Sequence, residues 1–424
     1  MSSSLRDLIQ ISTREAPAAS TVDMPEFAAD EKAALEELLA APYPEPGLPP
    51  SVAFIIRTTR LCNLRCSYCY VCPDESAQTM SFPLVVRTIR DALRDRRLRD
   101  VTFYWFGGEP TLLPVTFYEK ALWLQRALRR NGQVIHNDLI TNGTRVTDEW
   151  IRLWRDHGFR LRVSLDGPPE SHDAHRKFAG GKPTSELVVR GIRALVAAGL
   201  GPSVDLVVTP AVRRIGAARL LEYVLELGVK ELRVRYMLAS PEDGLTPDGE
   251  RPLPFSEYVG YLRDLFRIWW PRAAGKLAIQ ELTDLVETLR SGPTGLCVHS
   301  GQCFGSVYTI EPDGGVFTCD DFFGYDSHRF GNLFQMTLSD CVRGSHLRQL
   351  RQRQQIESAD YEECRWFSVC HGGCPRWRLS PAVSGASDGH CCGMKRLISD
   401  IASALGLAGP ARRPVRQCKT QETT

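Results

Sequence analysis

Cys62, Cys66 and Cys69 stand at Cys-x3-Cys-x2-Cys spacing in the run Cys62-Asn63-Leu64-Arg65-Cys66-Ser67-Tyr68-Cys69. Three thiolates on one loop hold three irons of a [4Fe–4S] cube and leave the fourth iron open to a ligand, whereas electron-transfer clusters are closed by four cysteines. The competing readings are a zinc site completed by Cys72 and a ferredoxin-like run, Cys66-x2-Cys69-x2-Cys72-Pro73, which lacks the further cysteine before its proline. The other cysteines lie far away. Of 14 in 424 residues, none falls between Pro73 and Leu296 and ten fall from Cys297 onward. Clusters of this kind in a long chain read as metal or iron–sulfur sites in a reducing cytosol, not as a disulfide scaffold. The balance of 52 basic against 50 acidic residues removes the strong case for nucleic acid or an anionic membrane. No apolar run approaches the roughly 20 residues of a membrane span, and Met1 to Ala18 has no apolar signal-peptide region.

Something must position that first loop. From Ser51 onward, apolar runs that read as strands alternate with segments of helical period. The strands are Val52 to Ile56, Val101 to Phe106, Ile135 to Thr141, Arg160 to Leu165, Val204 to Thr209 and Glu231 to Met237. Helical patterns fill the gaps: Pro83 to Leu98, Pro114 to Arg130, Asp148 to His157, Ser185 to Ala198 and Arg213 to Leu227. Six such repeats predict a parallel sheet covered by helices. The cysteine loop follows the first strand, Gly107-Gly108-Glu109-Pro110 ends the second, Thr141-Asn142-Gly143 the third and Ser164-Leu165-Asp166-Gly167 the fourth. Chemistry spread over the carboxyl ends of successive strands favours an α/β partial (β/α)6 TIM-like barrel over a doubly wound sheet, which would gather it at one switch point. Taken alone, Asp166-Gly167 reads as a turn.

The whole organisation then reads as an N-terminal extension with a proline-rich connector (1–50), the barrel (51–240), a helical linker (241–295), a small cysteine-rich α+β domain (296–395) and a C-terminal helix and tail (396–424).

The first cysteine run resembles the signature of the radical S-adenosylmethionine (SAM) enzymes. In that family the open iron chelates the methionine amino and carboxylate groups of SAM, and the reduced cluster splits the sulfonium to release a 5′-deoxyadenosyl radical. The resemblance implies that Tyr68 lies near the adenine and that Gly107, Gly108 and Glu109 belong to the motif that hydrogen-bonds the methionine amino group. It places Asn142 and Ser164 near the ribose and carboxylate. The later cysteines, Cys297-x5-Cys303, Cys319, Cys364-x5-Cys370-x3-Cys374 and the pair Cys391-Cys392, are similar to the SPASM extension with its two auxiliary [4Fe–4S] clusters. The family pattern gives Cys297, Cys303, Cys319 and Cys374 to the nearer cluster, and Cys364, Cys370 and one of Cys391 or Cys392 to the outer one. A further family cysteine, three residues before Cys364, is Tyr361 here. Both members of the pair, an oxygen from Tyr361 or Asp360, or an open iron would complete that cluster, and zinc or no metal is the alternative. Cys341 and Cys418 read as free thiols.

Peptide modification is the usual chemistry of such enzymes. The expectation is a cytoplasmic maturase that cross-links or cyclises a ribosomal precursor peptide, served by a flavodoxin- or ferredoxin-type reductant. The first 50 residues are too short for a leader-recognition domain of their own. The alternatives are a formylglycine-forming sulfatase maturase, an epimerase or dehydrogenase of a small metabolite, and a non-catalytic iron–sulfur or zinc protein. Ser164 to Pro168, His172-Asp173, Arg176 and Cys319-Asp320 are similar to the sulfatase-maturing pattern, in which Asp320 matches a proposed base that takes the proton lost as a substrate radical is oxidised. Tyr361 argues against that subgroup, which keeps both auxiliary clusters fully liganded.

Overall fold

A computed structural model describes residues 24–42, 45–70, 77–240, 244–292, 297–301, 303–322, 324–359, 361–379 and 391–407. Cys72, Asp360 and Cys418 lie outside them. Strands β1 (Ser51–Thr59), β2 (Asp100–Gly107), β3 (Val134–Thr141), β4 (Arg160–Ser164), β5 (Ser203–Val208) and β6 (Glu231–Tyr236) lie side by side in chain order, every neighbouring pair parallel. This sequential order without reversal is that of a barrel, as expected, and the sheet stays open.

Alternation along each strand separates the two faces. On β2, Val101, Phe103 and Trp105 are buried under the helices while Thr102, Tyr104 and Phe106 line the interior. Trp105 meets Tyr118 of the helix Val115–Leu128 edge-on at 5.6 Å, and Tyr118 meets Trp150 of the helix Asp148–Asp156 at 5.2 Å. Edge-to-face contacts of this kind add about 0.5–1.5 kcal/mol to the area they bury. Threonines start the crossovers: Thr147 accepts from the Trp150 N–H and Thr209 from the Val212 N–H, satisfying donors that a first helical turn leaves free.

Four short strands extend the expected six. β7 (Ala278–Ile279) pairs with β6 and runs directly into the helix Gln280–Ser291, so the expected helical linker also contributes a strand. At the other edge β8 (Val307–Ile310) pairs parallel with β1, and β9 (Gly315–Phe317) and β10 (Arg329–Asn332) fold back antiparallel. The cysteine-rich region thus shares the barrel's sheet. Arg57 of β1 and Glu311 after β8 form an ion pair at 3.0 Å across this join, both with side chains no more than 1% exposed. No helix among the described residues is long and apolar enough to cross a membrane.

Candidate functional site

The loop that carries Cys62, Cys66 and Cys69 leaves β1 and is clamped to the end of β2. The Gly108 N–H donates to the Thr59 carbonyl at 2.7 Å and the Glu109 N–H to the Leu61 carbonyl at 2.8 Å. Glycine is required for this approach, because a Cβ on Gly108 would stand 2.1 Å from the Leu61 oxygen.

Glu109 then ties β2 to β3. Its fully buried carboxylate accepts from the Thr111 N–H and hydroxyl at 3.1 and 2.6 Å, from the Thr141 hydroxyl at 2.7 Å and from the Asn142 N–H at 2.7 Å. Burial raises its pKa and these donors oppose the rise. The Asn142 amide in turn donates to Asn63 Oδ1 at 2.8 Å, while Asn63 donates to Thr144 at 2.9 Å, so strand three grips the cysteine loop from within. Ser164, at the end of β4, has no hydrogen-bond partner for its side chain among the described residues.

A second support comes from Asp166, which is no mere turn residue. Completely buried, it accepts from the Tyr68 hydroxyl, from Arg176 Nε at 2.9 Å and from the Val207 N–H at 3.0 Å. The Arg176 guanidinium also lies over the Tyr68 ring, 5.4 Å from its centre, and its other arm points at the Cys66 sulfur at 4.0 Å. Burial pushes the Tyr68 phenol and the Cys66 thiol up, with Arg176 pulling both the other way. His172 backs this hub. Its Nδ1 accepts the Asp166 N–H, which leaves Nε2–H to donate to Thr184 Oγ1 at 3.0 Å, and burial holds the ring neutral with a pKa near 4. Asn63, Asp166 and Arg176 were not among the expected site residues. The signal for the last two was the resemblance of Ser164 to Pro168 and Arg176 to the sulfatase-maturing pattern.

Across the barrel mouth, Cys297, Cys303, Cys319 and Cys374 gather with free thiols. All four line one cavity of about 840 Å³ whose wall also includes Arg162, Arg235 and Asp320. Burial, followed by the charge of Asp321, raises Cys297 to about 11 and Cys374 to about 12. Asp320, half-buried, is 3.6 Å from the Cys319 sulfur and accepts from the Tyr70 hydroxyl at 3.4 Å, next to the radical-site loop. Asp321 pairs with Arg235 at 3.3 Å, and Arg376 binds its carbonyl at 2.8 Å.

The third group joins Cys364, Cys370, Cys391 and Cys392, again with free thiols. Cys370 and Cys374 serve different groups although three residues separate them. The turn between them is left-handed throughout, with φ of 48° at His371, 82° at Gly372 and 73° at Gly373. A non-glycine residue there is strained, and His371 is held by a 2.7 Å bond between its Nδ1 and the His299 carbonyl.

Unprotected thiols in groups of three, four and four fit iron–sulfur cubes, which take one thiolate per iron.

The Radical SAM superfamily model matches residues 56–211, and the model of the SPASM iron–sulfur cluster-binding domain matches residues 303–374. The serine-type anaerobic sulfatase-maturating enzyme of Klebsiella aerogenes is 31% identical over 349 residues, covering 81% of this chain and 83% of that protein. The cysteine-type enzyme of Clostridium perfringens is 27% identical over 354 residues, covering 81% and 94%. The solved structure of native anSMEcpe with bound AdoMet and the Cp18Cys peptide superposes with a TM-score of 0.71 at 26% identity, over 85% of this chain and 98% of that one. These relatives overturn the expected cross-linking or cyclising maturase of ribosomal peptides in favour of the sulfatase-maturing alternative. The objection drawn from Tyr361 fails on the geometry, since four thiols gather at the outer group without it. The chain is a radical SAM enzyme that uses SAM and [4Fe–4S] clusters, and it belongs to the anaerobic sulfatase-maturating enzymes.

Proposed function

We propose that this enzyme oxidises a serine or cysteine side chain of a sulfatase-derived peptide to formylglycine. The likeness to sulfatase-maturating enzymes supports the substrate class, and the observation that supports the chemistry is Asp320, a carboxylate in the cavity wall that touches the inner thiol group through Cys319 and the radical-site loop through Tyr70.

Cys62, Cys66 and Cys69 would hold the radical cluster, and Cys297, Cys303, Cys319 and Cys374 the inner auxiliary one. When bound, SAM and the reduced cluster would supply the hydrogen-atom abstraction from the substrate carbon. The chain's own residues do the rest. Tyr68, kept neutral by burial, offers an apolar face for the adenine, and the Ser164 hydroxyl is available to SAM. Glu109 is spent on Thr111, Thr141 and Asn142, so it acts by shaping the pocket. Asp320 takes the hydroxyl or thiol proton as the substrate radical gives up its electron, which an auxiliary cluster would accept, and Tyr70 orients that carboxylate. Serine then yields the aldehyde directly and cysteine a thioaldehyde that water hydrolyses with release of hydrogen sulfide. A flavodoxin- or ferredoxin-type protein would deliver the priming electron.

The reading is tested with anaerobically reconstituted enzyme, SAM and dithionite, and peptides spanning the modified serine or cysteine of a sulfatase. The expected result is 5′-deoxyadenosine together with a hydrazine-reactive aldehyde on the peptide. SAM cleavage that is indifferent to both peptides and yields no aldehyde would reject it.

A further inference from the structure

The outer thiol group departs from its family's pattern at Tyr361, and the structure shows what that residue does instead. Its ring lies under the Arg378 guanidinium, 5.6 Å from the ring centre, and packs so close to Gly372 that a Cβ there would come within 3.0 Å of it. The site nevertheless has four thiols. The sulfurs of Cys370 and Cys392 are 3.5 Å apart, and Cys391 lies beside both Cys364 and Cys392. The contacts therefore run without a break from Cys364 through Cys391 and Cys392 to Cys370.

Neighbouring residues of an extended strand point to opposite sides. Cys391 and Cys392 lie in neither strand nor helix, and the chain turns directly after them at Gly393, φ 90°, whose N–H donates to the Cys391 sulfur at 3.4 Å. Phe255 walls that turn, so that a Cβ on Gly393 would meet its ring at 2.8 Å. On the other side the Cys392 Cβ lies in ordinary contact range of Gly373. The turn at Gly393 thus seats an adjacent pair of thiols facing the same site.

We infer that Cys391 and Cys392 both ligate the outer auxiliary cluster together with Cys364 and Cys370, the adjacent pair supplying the thiolate that position 361 lacks. The identity of the cluster as [4Fe–4S] rests on family membership, whereas the ligand set rests on the geometry. Ligation requires all four thiols to be deprotonated.

The test uses the full chain, reconstituted anaerobically, with iron, sulfide and zinc analysis and with EPR and Mössbauer spectra. Cys391→Ala and Cys392→Ala should each lose roughly a third of the iron, one cube of three, and with it one set of cluster signals. Adding Tyr361→Cys to Cys392→Ala should restore both, while Cys341→Ala keeps all the iron. Mössbauer spectra of the unaltered enzyme should show no iron with a non-thiolate ligand in the outer cluster, a readout independent of how the variants fold. Full iron with unchanged spectra in Cys392→Ala, zinc in place of that iron, or a distinct oxygen-ligated iron in the unaltered outer cluster would overturn the assignment. None of these measurements involves the peptide, so a failure here and a failure of the proposed function are separate results.

Discussion

The radical-site loop and the C-terminal thiol groups, proposed to hold similar cubes, are built by opposite structural means. The first is one short stretch of chain whose three ligands are close in sequence, and the scaffold's task is to hold it. It does so with backbone bonds from Gly108 and Glu109, the Asn142–Asn63 amide contact and the Asp166–Arg176–Tyr68 hub, all from the ends of neighbouring parallel strands. The later groups draw ligands from segments as distant as Cys297 and Cys374, and a strained five-residue turn is shared between two of them. A contiguous site can be read as a motif. An interleaved one exists only once the chain has folded.

The sharpest way to break the comparison is to remove a ligand of the contiguous site. Cys62→Ala, Cys66→Ala or Cys69→Ala should abolish 5′-deoxyadenosine formation while roughly two thirds of the iron, the two auxiliary cubes, persists on analysis. Substitution on the other side should do the reverse. Asp320→Asn is expected to keep SAM cleavage but lower aldehyde formation by about 10²–10⁴-fold, the usual worth of a positioned base, which chromatography of both products would resolve. Next is the hub: Asp166→Asn leaves Arg176 as a buried, uncompensated cation and should cost about 3–5 kcal/mol, read as a lower denaturant midpoint and weaker SAM binding. If stability is unchanged, the loop is not supported as described.

The smallest effect belongs to the cavity between the two regions. Burial raises Glu281, whose carboxylate accepts from the Val234 N–H at 2.8 Å, to about 7. A carboxyl with its pKa raised in the folded state binds more protons there than in the unfolded chain. Its contribution is therefore full below about pH 4.5 and is lost as pH rises through 7. Glu281→Gln should flatten that part of the stability profile and leave the protein equal to or more stable than the parent at pH 8, by at most about 3 kcal/mol. Chemical denaturation at several pH values would measure it.

The reading from sequence succeeded where local pattern and final contact coincide. The six barrel strands alternate or run apolar over five to nine residues, and their order, together with the Cys62–Cys69 run and the glycines of β2, was legible. It failed where contact is long-range. β7 to β10 span two to four residues each, too short to show a period. Asp166 looked like turn chemistry because its partners Tyr68, Arg176 and Val207 lie on three other segments. Tyr361 misled in the same way: both members of the pair Cys391-Cys392 were one of several ways to complete the group, and only the fold brings them beside Cys364 and Cys370. The substrate class followed from relatives, not from the site, since a base beside an auxiliary thiol serves several oxidations equally well.

The parallel pairing of β8 with β1 carries a practical consequence for dissecting the enzyme. A fragment ending at Ser291 would keep every residue of the radical site yet uncover the edge of β1, the strand that leads into the cysteine loop, and strip Glu311 from Arg57. An uncovered edge of nine residues is a template for pairing with another copy. Such a fragment should self-associate through that strand, a pairing that β8 pre-empts in the full chain.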